Sequence, residues 1–168
     1  MNSVEGGTNE ETISSYSALN EMSFGAIGGL IAGLVMAGIG YAIPIPGMMG
    51  EPFFISSADM WNLPNKVVTG WSLLIVTSLI IGLIFGLVTA RASTLRITSM
   101  AKGLALGPIV GLVVFILVFL PVEIPPMPSL VSANNFLLES FGYNLVFGLV
   151  LGATAAGLSL RTRTKIAK

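Results

Sequence analysis

Gly25-Ala-Ile-Gly-Gly29-Leu-Ile-Ala-Gly33 and Gly103-Leu-Ala-Leu-Gly107-Pro-Ile-Val-Gly111 lie 78 positions apart and repeat glycine at the same four-residue steps. Residues four apart share one face of a helix, so each stretch predicts a helix with a strip bare of side chains. A second match follows each trio, with Gly82-Leu-Ile-Phe-Gly86 echoed by Gly148-Leu-Val-Leu-Gly152. The sequence reads as a helix pair written twice, with glycine where helices touch.

The surroundings of these glycines decide the solvent. Of the 168 residues, 54% are hydrophobic and 10% charged, outside the usual composition of soluble domains. Residues 22–50, 67–90, 103–122 and 140–160 contain no Asp, Glu, Lys or Arg. Each supplies the roughly 20 apolar residues that cross a bilayer, which predicts spans near 24–43, 70–90, 101–120 and 141–160. Buried helices of a soluble core would need four long helices without a polar face, a rare pattern in so short a chain. The expected fold is an all-α membrane protein: a polar N-terminal tail, 1–23, then one four-helix transmembrane domain, 24–168. Two-span repeats enter and leave on one side, so the repeats are parallel, with a pseudo-two-fold axis along the membrane normal.

Basic residues set the expected orientation. Arg91, Arg96 and Lys102 lie between spans two and three, and Arg161, Arg163, Lys165 and Lys168 follow span four, leaving only Lys66 for the opposite side. The positive-inside rule then predicts a multi-pass protein of the cell (cytoplasmic) membrane with both termini cytoplasmic. The tail carries Glu5, Glu10, Glu11 and Glu21 but no basic residue, and acidic residues weigh little in that rule. Thr8-Asn-Glu-Glu11 fits a capping box, and Ile13, Tyr16, Leu19 and Met22 could form an apolar stripe. The tail is read as loosely ordered, with a short partner-binding helix as the alternative. No basic n-region precedes the first apolar run, so no secretory signal pattern is present.

The outer loops are expected over 44–69 and 121–139. The first, Pro44 to Pro64, is rich in proline and glycine yet carries Phe53, Phe54 and Trp61. It predicts a partly folded cap with a short helix near 56–62.

Catalysis finds little support. The chain has no histidine and no cysteine, hence neither the commonest general base nor a thiol nucleophile. Apart from Lys102 at the very start of the third, no Asp, Glu, Lys or Arg falls inside a predicted span, where such groups mark ion and proton paths. Glu51, Asp59, Glu123 and Glu139 are expected outside but match no metal-loop spacing. Met48, Met49, Met60 and Met127 share that side; thioethers suit Cu(I), though scattered methionines read as packing. The expectation is therefore a non-enzyme without metal or other cofactor. Short juxtamembrane basic clusters give no nucleic-acid signature.

Glycine faces carry what remains. Close backbone approach drives helix association in lipid, and Gly25, Gly29, Gly33, Gly82, Gly86, Gly103, Gly107, Gly111, Gly148 and Gly152 are read as packing positions. Gly38 and Gly40, with Ala37 and Ala42, extend the small-residue surface of span one and make it the preferred external contact. Asn144 is the candidate polar contact, either bonding across the bundle or lining a narrow path. Pro108 predicts a kink in span three.

The pattern Gly29-Leu-Ile-Ala-Gly33-Leu-Val-Met36, Gly82 to Gly86, Gly107 to Gly111 with Pro121, and Asn144-Leu-Val-Phe-Gly148-Leu-Val-Leu-Gly152 resembles the YagU-like group of small four-span membrane proteins. That group often carries histidine just before the glycine pair of its even spans; here Ser78 and Asn144 stand there, so a histidine-dependent role is not implied. A looser resemblance is to non-catalytic helical subunits around membrane copper monooxygenases, such as archaeal ammonia monooxygenase. Together these readings lead to an accessory subunit contacting lipid and either other membrane subunits or its own copies. The alternative is a facilitated pathway for a small neutral solute, using Asn144, Thr77 and Ser78.

Overall fold

A computed structural model describes residues 6–43, 50–125 and 135–166. Among them every regular element is helical. α1 spans Gly6–Ala42, α2 Phe53–Met60, α3 Lys66–Arg91 and α4 Met100–Val114; α4 continues as a π-helix, Phe115–Glu123, and α5 spans Phe136–Ile166. Four segments are long and apolar enough to cross a membrane: Ala18–Ala42, Lys66–Arg91, Met100–Val122 and Phe136–Thr164. Helices suit that medium because each satisfies its own backbone donors and acceptors.

Local chemistry places the breaks. α2 follows Pro52 and ends in a reversed turn: Asn62 takes φ 53°, and the Leu63 amide donates to the Ala58 carbonyl at 3.0 Å. Asn tolerates this left-handed position better than most residues, so it can close a helix. Asn65 at φ 50° precedes α3. Ser99 caps α4, its side chain accepting from the Lys102 amide at 3.2 Å.

One expectation differs from the structure. The N-terminal tail, expected as loose, is helical from Gly6 and continuous with span one, so Glu21 belongs to a helix that enters the bundle. Pro108 lies within α4, and a π-helical stretch follows at Phe115–Glu123 around Pro121. Proline at 121 has no amide to donate and crowds the carbonyl four residues back; a wider turn relieves that crowding. Gly47, Met48, Met49, Met127 and the proline-rich run 126–134 lie outside the described residues.

The helices pack in the order α3, α1, α5, α4, with α1 and α5 central. Their shared core contains Ala32, Met36, Phe85, Ile97, Phe147, Leu151, Ala155 and Ala156. The start of span one and the end of α5 meet at one end of the bundle, here the tail end; α2 covers the other, the cap end.

Candidate functional site

Three seams hold the helices at backbone distance. In the α1–α3 seam, a Cβ on Gly25 or Gly29 would overlap the carbonyl oxygen of Gly82 or Ser78, and one on Gly33 would strike the Ser78 side chain. Gly82 and Gly86 face back onto the Gly25 and Glu21 carbonyls. The α4–α5 seam has the matching set. A Cβ on Gly103, Gly107 or Gly111 would meet Gly152, Gly148 or Asn144 backbone, while Gly148 and Gly152 face the Gly107 and Gly103 carbonyls. These ten residues thus lie inside the two helix pairs.

The α1–α5 seam rests on a glycine outside the four-residue pattern. A Cβ on Gly28 would lie 3.0 Å from the Leu151 carbonyl oxygen. Position 106, displaced from 28 by the same 78 residues, holds Leu106, and position 85, displaced from Leu151 by the interval between Gly148 and Gly82, holds Phe85. Leu106 thus stands where Gly28 is bare, and Phe85 is bulkier than Leu151. Leu106 and Phe85 fill the tail-end half between α3 and α4.

Gly38 and Gly40 part company. Gly40 is buried against the Phe53 ring, 3.4 Å from a would-be Cβ, whereas Gly38 is exposed with nothing within 4 Å. Ala42, one turn further, is also exposed.

At the tail end, Glu21 is 9% exposed. Its carboxylate accepts from Ser159 Oγ and an Arg163 guanidinium nitrogen, each at 2.8 Å. The pair lies at the margin of the charge-free spans and clamps α1 to α5. A carboxylate counted with the polar tail gave the sequence reading no reason to place it there.

At the cap end, α2 lies across α1, α3 and α5 on aromatic contacts: Phe54 meets Trp71 at 5.0 Å between ring centroids, and Phe53 meets Tyr143 at 5.9 Å. Gly70 admits the Phe54 backbone. Lys66 bridges Glu51 at 3.0 Å and Asp59 at 3.5 Å, tying the segment around α2 to the start of α3. The Tyr143 hydroxyl donates to the Ile43 carbonyl. Two of the four carboxylates expected outside therefore share one ammonium, and among the described residues no three His, Cys, Asp or Glu gather.

Beneath α2 the separation of α3 from α4 leaves a cavity of about 160 Å³. Phe53, Phe54, Phe119 and Phe147 line it, together with Thr77, Ser78, Ser140 and Asn144. Among the described residues Asn144 makes no bond across the bundle; its Nδ2 donates to the Ser140 carbonyl on its own helix at 2.8 Å. Ser140 Oγ is buried and has no hydrogen-bond partner among the described residues. No family model, curated protein or solved structure matches this chain.

Proposed function

We propose that the protein is a non-catalytic integral membrane subunit or accessory protein, with the cap-end half of α1 as its docking strip. The observation that carries this reading is the exposed Gly38–Ala42 step. One helical turn separates these small residues, and a gap of that kind lets a second helix approach to backbone distance. All other described glycines of the transmembrane part of α1 are engaged within the chain. Exposed Leu34, Val35 and Tyr41 flank the step and would seat the partner helix. Duplication of a helix pair accounts for the matching glycine contacts, with Gly38 an addition peculiar to the first copy. The basic residues at one end support a cell-membrane location with both termini inside.

This reading is favoured over a solute pathway because Phe85, Leu106 and Leu151 fill the tail-end half of the bundle. Native electrophoresis in mild detergent tests it. Wild type should migrate with other chains and Gly38→Leu should migrate alone while still inserting; wild type migrating only as a monomer would sink the reading.

A further inference from the structure

We propose that the cavity beneath α2 is a binding site for a neutral, membrane-soluble molecule with a planar carbonyl-bearing ring and an apolar tail, the chemistry of a membrane quinone. Four features specify that chemistry, and none depends on the docking strip of α1.

The first is Ser140. It is 1% exposed, lines the cavity, and its Oγ has no partner among the described residues. A buried hydroxyl left unpaired is costly, and such groups are usually satisfied by something that binds there. Ser57 Oγ and the Tyr143 hydroxyl already donate to the Phe53 and Ile43 carbonyls, and Asn144 Nδ2 gives one of its two hydrogens to the Ser140 carbonyl. Ser140 therefore offers a proton to a ligand acceptor, and a carbonyl oxygen is the simplest one.

The second feature is shape. Phe53, Phe54, Phe119 and Phe147 come from three different elements, and aromatic walls favour a flat ring that can stack or meet their edges. The cavity, at about 160 Å³, matches the roughly 150 Å³ that accommodates one benzene ring in an apolar protein interior.

Charge is the third. No Asp, Glu, Lys or Arg lines the cavity, so a phosphate headgroup or a carboxylate would lie there uncompensated. The fourth is access. Leu73 and Thr77 of α3 line the cavity and are exposed on the bundle surface, so a ligand tail can leave between α3 and α4 into lipid. The π-helix supplies Val118 and Phe119 to the opposite wall, and wide turns of this kind recur at functional sites.

The test uses the full chain in nanodiscs, with decylbenzoquinone as the probe and dodecane as its carbonyl-free counterpart. Trp71 packs on Phe54, so a Trp61→Phe background leaves one fluorophore beside the cavity. Decylbenzoquinone should quench it saturably, and dodecane should displace the quinone poorly. Ser140→Ala should weaken binding about tenfold, the loss of one hydrogen bond. The same variant should unfold at an equal or higher temperature without ligand, since it removes an unpaired buried hydroxyl. Val118→Phe should fill the space and abolish the saturable component. The proposal is overturned by quenching that stays linear, by unchanged affinity in Ser140→Ala, or by dodecane competing as well as the quinone. Should Val118→Phe fail to fold, Ser140→Ala decides alone.

Discussion

Glu21 of α1 and Arg163 of α5 meet at 2.8 Å, although 142 positions separate them in sequence. Their exposures are unequal, with 35% of the arginine side chain accessible against 10% of the glutamate. Removing one partner of a buried pair costs more than the pair contributes, because the survivor is left uncompensated. Which residue survives therefore matters. Arg163→Met strands a carboxylate with little access to water and should cost about 3 kcal/mol, the low end for breaking a buried pair. Glu21→Gln keeps an acceptor for Ser159 and leaves a guanidinium free to turn outward, so about 1 kcal/mol is expected. Thermal unfolding in detergent checks the order; equal losses would mean that the pair is effectively solvated.

Glycine positions divide sharply by what a methyl group would meet. Gly82→Ala and Gly148→Ala each drive a Cβ into a carbonyl on the facing helix, and overpacking of this kind costs about 1–3 kcal/mol or more. Gly142→Ala meets nothing within 4 Å and should be neutral or stabilising by up to about 1 kcal/mol from helix propensity. Yields of folded protein and melting temperatures provide the comparison. Similar behaviour of all three would dissociate the glycines from packing.

The absence of cysteine makes topology directly readable. Asp59 and Thr164 are exposed at opposite ends of the bundle. Asp59→Cys should react with a membrane-impermeant maleimide added to intact cells, and Thr164→Cys only after permeabilisation. Labelling of both in intact cells would contradict the three spans between them and the expected orientation.

Much of this architecture is written in local sequence. Charge-free runs locate the spans, and four-residue glycine steps give two helix pairs without a structure. Gly28 stands off that rhythm, and its value appears only once Leu151 lies across from it. Gly70 likewise gains meaning from the Phe54 backbone, which no periodicity can place. Glu21 belongs to the polar tail by its sequence neighbours, while its partners Ser159 and Arg163 arrive from the far end of the sequence. Ser140 carried no signal at all. A serine in a membrane helix usually bonds its own backbone, as Ser72 does with the Val68 carbonyl, and only the packed structure leaves Ser140 apart.

Adjacent glycines 28 and 29 serve different seams, which permits a test of how the bundle is divided. Gly29 faces Ser78 and Gly82 of α3, while Gly28 faces Leu151 and Ala155 of α5. Leucine at 29 should separate α1 from α3 and leave the Glu21–Arg163 clamp in place. Leucine at 28 should part α1 from α5 and pull Glu21 away from Ser159 and Arg163. Substitutions that disrupt one contact network fail to add, whereas those in independent seams add to within about 0.5 kcal/mol. Gly28→Leu combined with Arg163→Met should therefore cost less than the two single losses together, since the clamp is already open. Gly29→Leu combined with Arg163→Met should be close to additive. Additivity in the first pair would show that the clamp and the Gly28 contact are not parts of one seam.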